Sequence, residues 1–146
     1  LSFAVANRGA DHMYATFYSL EYPLVDKSEA MDPKGLDGKP ARLVEKENHM
    51  AIHDSAILCK FSRDFIDEEH LETLLDTSYD ELQTIGDRIV TLERHFNNQR
   101  GFDRADDRLP YDLPDFETAL EEYYAVRDWT EAGTVPEAAL AGEPAD

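Results

Sequence analysis

The residues best placed to do chemistry lie in His53-Asp54-Ser55-Ala56-Ile57-Leu58-Cys59-Lys60-Phe61, which holds the only cysteine of the 146-residue chain. A carboxylate, Asp54, stands five positions before Cys59, at the end of a helical pattern. One thiol closes no disulfide within the chain. Nor does it hold a tetrahedral zinc or an iron–sulfur cluster, which typically take four protein ligands. As a metal ligand, Cys59 needs co-ligands from another domain or chain. The plainer reading is a buried structural thiol, because free cysteine packs as a small hydrophobe. A self-contained site of Cys59 with His49 or His53 matches no standard closed zinc spacing.

A second group is Asn7-Arg8-Gly9-Ala10-Asp11-His12, a tight entry into a helix whose pattern runs over 12–22. Gly9 permits a backbone angle closed to other residues. Arg8 and His12 are four apart and on a helical turn would share a face, either to meet an anion or as ordinary surface groups. Lys46, Met50 and Asp54 recur at spacing four, aligning a basic group with the carboxylate, which is also what a plain amphipathic face shows.

The elements that must position these groups read as helices. Pro23 ends the first one, and 26–40 is a loop rich in Pro, Gly, Asp and Lys. A helix over 41–57 has Leu43, Val44, Met50, Ala51 and Ile57 on its apolar side, and Phe61, Phe65 and Ile66 continue the core. Asp67 caps a helix over 68–75 with acids in its first turn. Ser78-Tyr79-Asp80-Glu81 is a capping box opening a long helix, where Leu82, Ile85, Ile89, Leu92 and Phe96 form a stripe at spacings of three and four. Gly86 within it points to close helix packing. A polar loop over 97–114, dense in Arg and Asp, precedes a helix marked by Phe116, Leu120, Tyr123 and Tyr124. Pro136 starts a brief helical turn, and Gly142-Glu143-Pro144 reads as a frayed end. No strand pattern and no internal repeat appears. The fold class is all-α, about five helices in one irregular multihelical domain over 1–146.

Composition bounds the partners. Thirty-two Asp and Glu against 14 Lys and Arg give a net charge of -18. That excludes a nucleic-acid binder, which must neutralise phosphates, and disfavours an anionic membrane surface. A hydrophobic share of 42% argues against disorder. Excess surface carboxylates suit a halophilic proteome, or simply a soluble acidic protein. No apolar run approaches the ~18 residues that span a bilayer. A lone cysteine fits a reducing, cytoplasmic interior. A start at Leu1 with helical character almost at once reads as a piece of a longer protein.

Several stretches, in order, resemble one family. Asn7-Arg8-Gly9-Ala10-Asp11-His12-Met13 resembles an RGA-x-HL segment, and Asp54-Ser55-Ala56-Ile57-Leu58-Cys59 resembles a D-x-x-x-L-C motif. Ile85-Gly86-Asp87-Arg88-Ile89, Leu92-Glu93-Arg94, Arg100-Gly101-Phe102 and Arg104-Ala105-Asp106-Asp107-Arg108-Leu109-Pro110 look like that family's late helix and following loop. Glu122-Tyr123-Tyr124 to Arg127-Asp128-Trp129 is similar to its closing helix. Together they resemble the C-terminal region of the tungsten-dependent aldehyde:ferredoxin oxidoreductases.

That resemblance implies tungstopterin, a tungsten ion held by two pterins (molybdenum being the open alternative), beside a 4Fe-4S cluster. Cys59 would be the fourth cluster ligand, the other three lying in a preceding domain. Asp54 would accept hydrogen bonds from pterin N–H groups, and Leu58 would present backbone to the same cofactor. Arg8 would pair with a pterin phosphate, and Lys46 falls where the family tends to place an Arg, keeping charge but losing a bidentate grip. His12 would be the histidine near the metal, able to orient an aldehyde oxygen or move a proton. Ferredoxin, an aldehyde and the remaining domains would be the partners. The N-terminal pterin-binding and middle domains would be missing, leaving this piece inactive alone. The competing reading is a cofactor-free acidic helical interaction or scaffold domain, in which Cys59 is mere packing.

Overall fold

The computed structural model describes residues 1–23, 28, 30–63 and 65–140. They form α1 (Ser2–Val5), α2 (His12–Ala15), α3 (Tyr18–Glu21), α4 (Lys39–Ser55), α5 (Glu68–Leu75), α6 (Tyr79–Asn98), α7 (Phe116–Val126) and α8 (Glu137–Leu140). A 3-10 turn spans Lys60–Ser62, and no strand occurs among the described residues. The fold is all-α, with four long helices and four single turns. The expected frayed end at 142–144 lies outside the described residues, as does part of the 26–40 loop.

Helix starts follow local chemistry. Asp67 Oδ1 accepts the His70 N–H at 3.0 Å to open α5, and Ser78 Oγ accepts the Glu81 N–H at 3.3 Å to open α6. The reciprocal arm of the capping box takes another route: Glu81 accepts the Thr77 hydroxyl at 2.7 Å. Helix α4 begins at Lys39, two residues earlier than expected, with left-handed Gly38 before it and Pro40 in its first turn. The helix expected over 12–22 breaks in two. Thr16 is left-handed (φ 50°), its N–H bonds the His12 carbonyl, and the turn delivers Phe17 to the core.

The core gathers α4 against α6 and α7. Leu43, Val44, Val90, Leu120, Tyr123, Tyr124 and Trp129 fill its main cluster, with Ala4, Val5, Ala15 and Phe17 from the amino-terminal segment. A smaller cluster of Ile52, Leu71 and Leu82 joins α4, α5 and α6, with Leu58 and Ile66 packed on it. Gly86 lies so near α4 that a Cβ there would sit 2.7 Å from the Asn48 carbonyl carbon. The expectation of close helix packing at Gly86 holds.

The expected core stripe of α6 does not. Its buried row is Leu82, Gly86, Val90 and Arg94, with Thr91, whereas Ile85, Leu92 and Phe96 are exposed. A row at spacing four that includes a glycine and an arginine is invisible to a count of apolar residues. Phe61 and Phe65, expected in the core, are also exposed, and Ile57 is 91% exposed because α4 ends two residues before it. Ile66 alone of that trio packs inward.

Arg127 ties the long helices together. Its side chain is 0% exposed, with Nη2 2.7 Å from Glu47 Oε2 of α4 and Nη1 2.6 Å from Asp87 Oδ1 of α6. Nη1 also donates to Asn48 Oδ1 at 2.7 Å, and the Tyr123 hydroxyl donates to Glu47 Oε2 at 2.7 Å. Burial pushes the Glu47 carboxyl up, against the pull of Arg127 and Tyr123. A second buried pair anchors the Arg/Asp loop: Arg94 grips Asp107 through both terminal nitrogens at 2.9 and 2.6 Å, and Tyr124 donates to the same carboxylate. Removing one partner of a buried pair strands the other charge, which costs about 3–5 kcal/mol. Arg127→Met is therefore expected to lower unfolding stability by that order in a denaturant titration. A loss under about 1 kcal/mol would show that the pair does not hold the bundle.

Candidate functional site

Asp54 sits at the carboxyl end of α4, and two cations from different segments converge on it. Lys60 Nζ lies 2.8 Å from Asp54 Oδ1, and Arg8 Nη1 lies 3.9 Å from Asp54 Oδ2. Arg8 Nε also pairs with Asp11 Oδ2 at 2.8 Å, while Asp11 Oδ1 caps α2 by accepting the Met13 N–H at 2.7 Å. The Met13 N–H, and then Arg8, hold the Asp11 carboxyl below the usual range. Arg8 therefore precedes α2 rather than sharing a helical face with His12. Its guanidinium lies over the Tyr14 ring, 5.3 Å from the centroid.

Helix α6 fixes that amino-terminal segment. The Tyr14 hydroxyl donates to Glu93 Oε2 at 2.6 Å, and Asn7 Nδ2 donates to the Val90 carbonyl at 3.0 Å. Asn97 Nδ2 donates to the Asn7 carbonyl at 2.6 Å. Arg8 is thus held from both sides although its own side chain is 46% exposed.

The turn from Asp54 to Cys59 has a specific geometry. The Ile57 N–H bonds the Asp54 carbonyl at 3.1 Å and the Leu58 N–H bonds the His53 carbonyl at 2.9 Å, a Schellman closure of α4. Its left-handed position is normally glycine, yet here it is Ile57 with φ 57°. A β-branched residue there is strained. Leu58 packs inward beside Ile52. Cys59 comes out extended and exposed, with its carbonyl pinned by the Ser62 N–H at 2.8 Å and the Ser62 hydroxyl at 2.6 Å. The plain reading of a buried thiol fails: Cys59 faces outward.

His12 opens α2 and is exposed, its ring centroid 6.1 Å from that of Tyr18. Lys46 is half-buried and lines a separate pocket of about 430 Å³ with His49, Tyr79 and Gln83. The structure groups Arg8 with Asp54 and leaves Lys46 in that other pocket. Lys60, Tyr14 and Glu93 were missed from sequence. The one signal for Lys60 was its position just past Cys59, which becomes informative only once the α4 turn is known.

Behind Asp54 lies a histidine pair. His49 and His53 are buried with ring centroids 4.6 Å apart. Gln83 Nε2 donates to the Tyr79 hydroxyl at 2.8 Å, which leaves that hydroxyl free to donate to His49 Nδ1 at 2.9 Å. Burial, then Lys46, His53 and Lys60, push His49 down from 6.5 to about 3. Burial and the same two lysines lower His53, with Asp54 opposing.

Among the described residues, no group of three or more His, Cys, Asp and Glu is placed to hold a metal ion. The donor set still fits part of a larger site. An exposed thiol and an exposed carboxylate, five residues apart on one pinned turn, could supply one metal ligand and one acceptor for N–H donors.

Two outcomes follow. Ile57→Gly is expected to raise stability by about 1 kcal/mol, since relief of the left-handed strain exceeds glycine's added chain entropy. A lower denaturation midpoint would mean that side-chain contacts of Ile57 outweigh the backbone strain. For His49, the unfolded state takes up a proton below 6.5 while the folded state resists until about 3. Stability is therefore lost as pH falls through that window, at about 1.4 kcal/mol per pH unit for one such group. His49→Gln should flatten the stability–pH slope between those limits. An unchanged slope would refute the buried neutral imidazole.

The model of the family described as aldehyde ferredoxin oxidoreductase, domains 2 & 3, matches residues 1–142. A tungsten-containing aldehyde ferredoxin oxidoreductase of Pyrococcus furiosus is 30% identical over 162 residues, covering 96% of this chain and 26% of the relative. Its namesake in Pyrococcus horikoshii gives the same figures. That of Thermococcus kodakarensis is 28% identical over 158 residues, covering 93% of this chain and 26% of the relative. The chain spans about a quarter of the length of these relatives. With a family match running through nearly all of its length, the chain belongs to the aldehyde ferredoxin oxidoreductase family.

Proposed function

We propose that this chain forms one wall of a tungstopterin and iron–sulfur active site, in an enzyme that oxidises an aldehyde to a carboxylic acid and passes electrons to ferredoxin. The observation that carries this is the turn that brings Asp54 and Cys59 outward together, with Arg8 beside the carboxylate. When bound, the cofactors would supply the two-electron redox chemistry. Everything else is asked of the protein's side chains.

Cys59 is the ligand this chain offers to a 4Fe-4S cluster whose other cysteines lie elsewhere in the enzyme. A thiolate is required, and the cation Lys60 stands next to it in sequence. Asp54 is the acceptor for the pterin's N–H donors, and Leu58 lends its backbone from the inward side of the turn. A carboxylate suits the role because it accepts through both oxygens. Arg8 engages a pterin phosphate. Its Nε is committed to Asp11, which fixes the guanidinium plane before any ligand arrives. Lys46 reinforces the positive side from its own pocket as a point charge. His12 takes or gives the proton at the aldehyde oxygen, for which an exposed imidazole is suited. The setting we assign is cytoplasmic, and the net charge of -18 fits a cell interior of high salt. No helix of the described residues is long and apolar enough to cross a membrane.

Elemental analysis of the full-length enzyme, wild type beside Cys59→Ala and Asp54→Asn, tests the reading. Tungsten with about four irons per chain is expected in the wild type, iron lost in Cys59→Ala, and tungsten reduced in Asp54→Asn. Protein from tungstate-supplied, oxygen-free cells that holds neither metal would overturn it, in favour of the acidic scaffold.

A further inference from the structure

Helix α6 carries a largely exposed apolar row to which the proposed function gives no role, with Ile89 alone of its four residues packing on the smaller core cluster. Ile85, Leu92 and Phe96 are 43%, 50% and 53% exposed, and Ile89 beside them is half-buried. At about 100° per residue these four fall within an arc of roughly 60°, and no other α6 residue falls in that arc. On a chain with net charge -18, this is a row without a charge. The row also borders the site. Ile89 and Glu93 line a cavity of about 230 Å³ together with Tyr14, Glu47, Ala51, Asp54 and Ser55. The apolar row and the Asp54 carboxylate therefore belong to one continuous side of the molecule.

We propose that this row is a seam against which the rest of the enzyme packs, and that the packing closes the cofactor site along the Asp54 side. The proposal rests on the functional reading above. The occupant is the part of the enzyme corresponding to the three-quarters of the relatives' length that this chain does not match. A contiguous apolar row at spacings of four, three and four is the form by which a helix seats in a partner's groove. A second copy of this chain is a poorer occupant. It would bring another strongly acidic surface to the same side, and it would crowd the carboxylate that must face a cofactor.

Hydroxyl-radical footprinting of the full-length enzyme, with tungsten measured on the same sample, tests the seam. Leu92 and Phe96 are expected to oxidise as slowly as the buried Tyr123, at every protein concentration. Oxidation at the rate of freely exposed side chains overturns the proposal. Protection that vanishes when the protein is diluted to monomers also overturns it, because the occupant is then a second copy. Absence of tungsten counts against the functional reading, whereas tungsten present with a reactive stripe counts against the seam alone. Leu92→Glu gives a second readout, since the side chain is half exposed and the helix itself tolerates the change. It should lower tungsten per chain several-fold with helical content retained, and full tungsten loading in that variant refutes closure of the site by this seam.

Discussion

The structure depends on a charge that has nowhere else to go. Arg127 leaves the last turn of α7 with its side chain fully buried, and among the described residues Glu47 of α4 and the partly exposed Asp87 of α6 are its ion-pair partners. Burial alone would lower the guanidinium's proton affinity, but Tyr123, Glu47 and Asp87 outweigh it and raise it. Three helices must then meet at one relative position, because any shift that lengthens these contacts strands an ion in low dielectric. Apolar packing would tolerate sliding, and this network does not. The contact at Gly86, where α6 lies on the Asn48 backbone, is possible only at that same position. The bundle is therefore indexed by ions and a missing side chain as much as by its hydrophobic cluster.

That indexing explains why α4 can end where it does. With Glu47 and Asn48 locked two turns upstream, the last turn has a defined direction, and the left-handed Ile57 folds the chain back so that Leu58 returns to the small core. A glycine would make the same turn with less strain. Isoleucine keeps the side chain outward at 91% exposure, on the same rim as Cys59. Strain of this kind persists where the surroundings over-determine it, and it collects at sites rather than in scaffolds. Here the over-determination is visible: two Schellman bonds, the Ser62 clasp on Cys59 and the inward pull of Leu58.

Much of this was readable in the residues, and the failures have physical causes. Helices α5 and α6 announced themselves through Asp67 and Ser78, because capping is a local hydrogen bond that needs only neighbours in sequence. Gly86 was readable for a similar reason: an unfavourable residue inside a strong helix asks for a compensating contact. The buried face of α6 was not readable, since a row containing Gly86 and Arg94 hides its burial from any hydrophobic count. Phe61, Phe65 and the Ile85–Leu92–Phe96 row were assigned to the core because apolar character reports that a side chain seeks burial, never against which surface. At the site, spacing alone paired Asp54 with Cys59 and Arg8 with His12. Only the fold could bring Arg8 and Lys60 to Asp54, across 46 residues in one case and one irregular turn in the other.

The division of labour that results is the main physical point. Charges that hold the fold, Arg127 with Glu47 and Arg94 with Asp107, are paired and almost wholly buried. Charges on the rim, Arg8 and Asp54, are about half exposed, and their contact at 3.9 Å is loose. An exposed pair at that distance contributes little to stability, on the order of a few tenths of a kcal/mol. On the proposed function, a ligand would replace it at small cost, meeting Asp54 Oδ2 and the guanidinium's Nη1 edge while Lys60 still holds Oδ1 at 2.8 Å. A rim pair as tight and dry as Arg127–Glu47 would resist any such exchange. The looseness of the Arg8–Asp54 contact thus leaves those two groups about half exposed on the rim, and the strength of the interior pairs holds the frame that carries them.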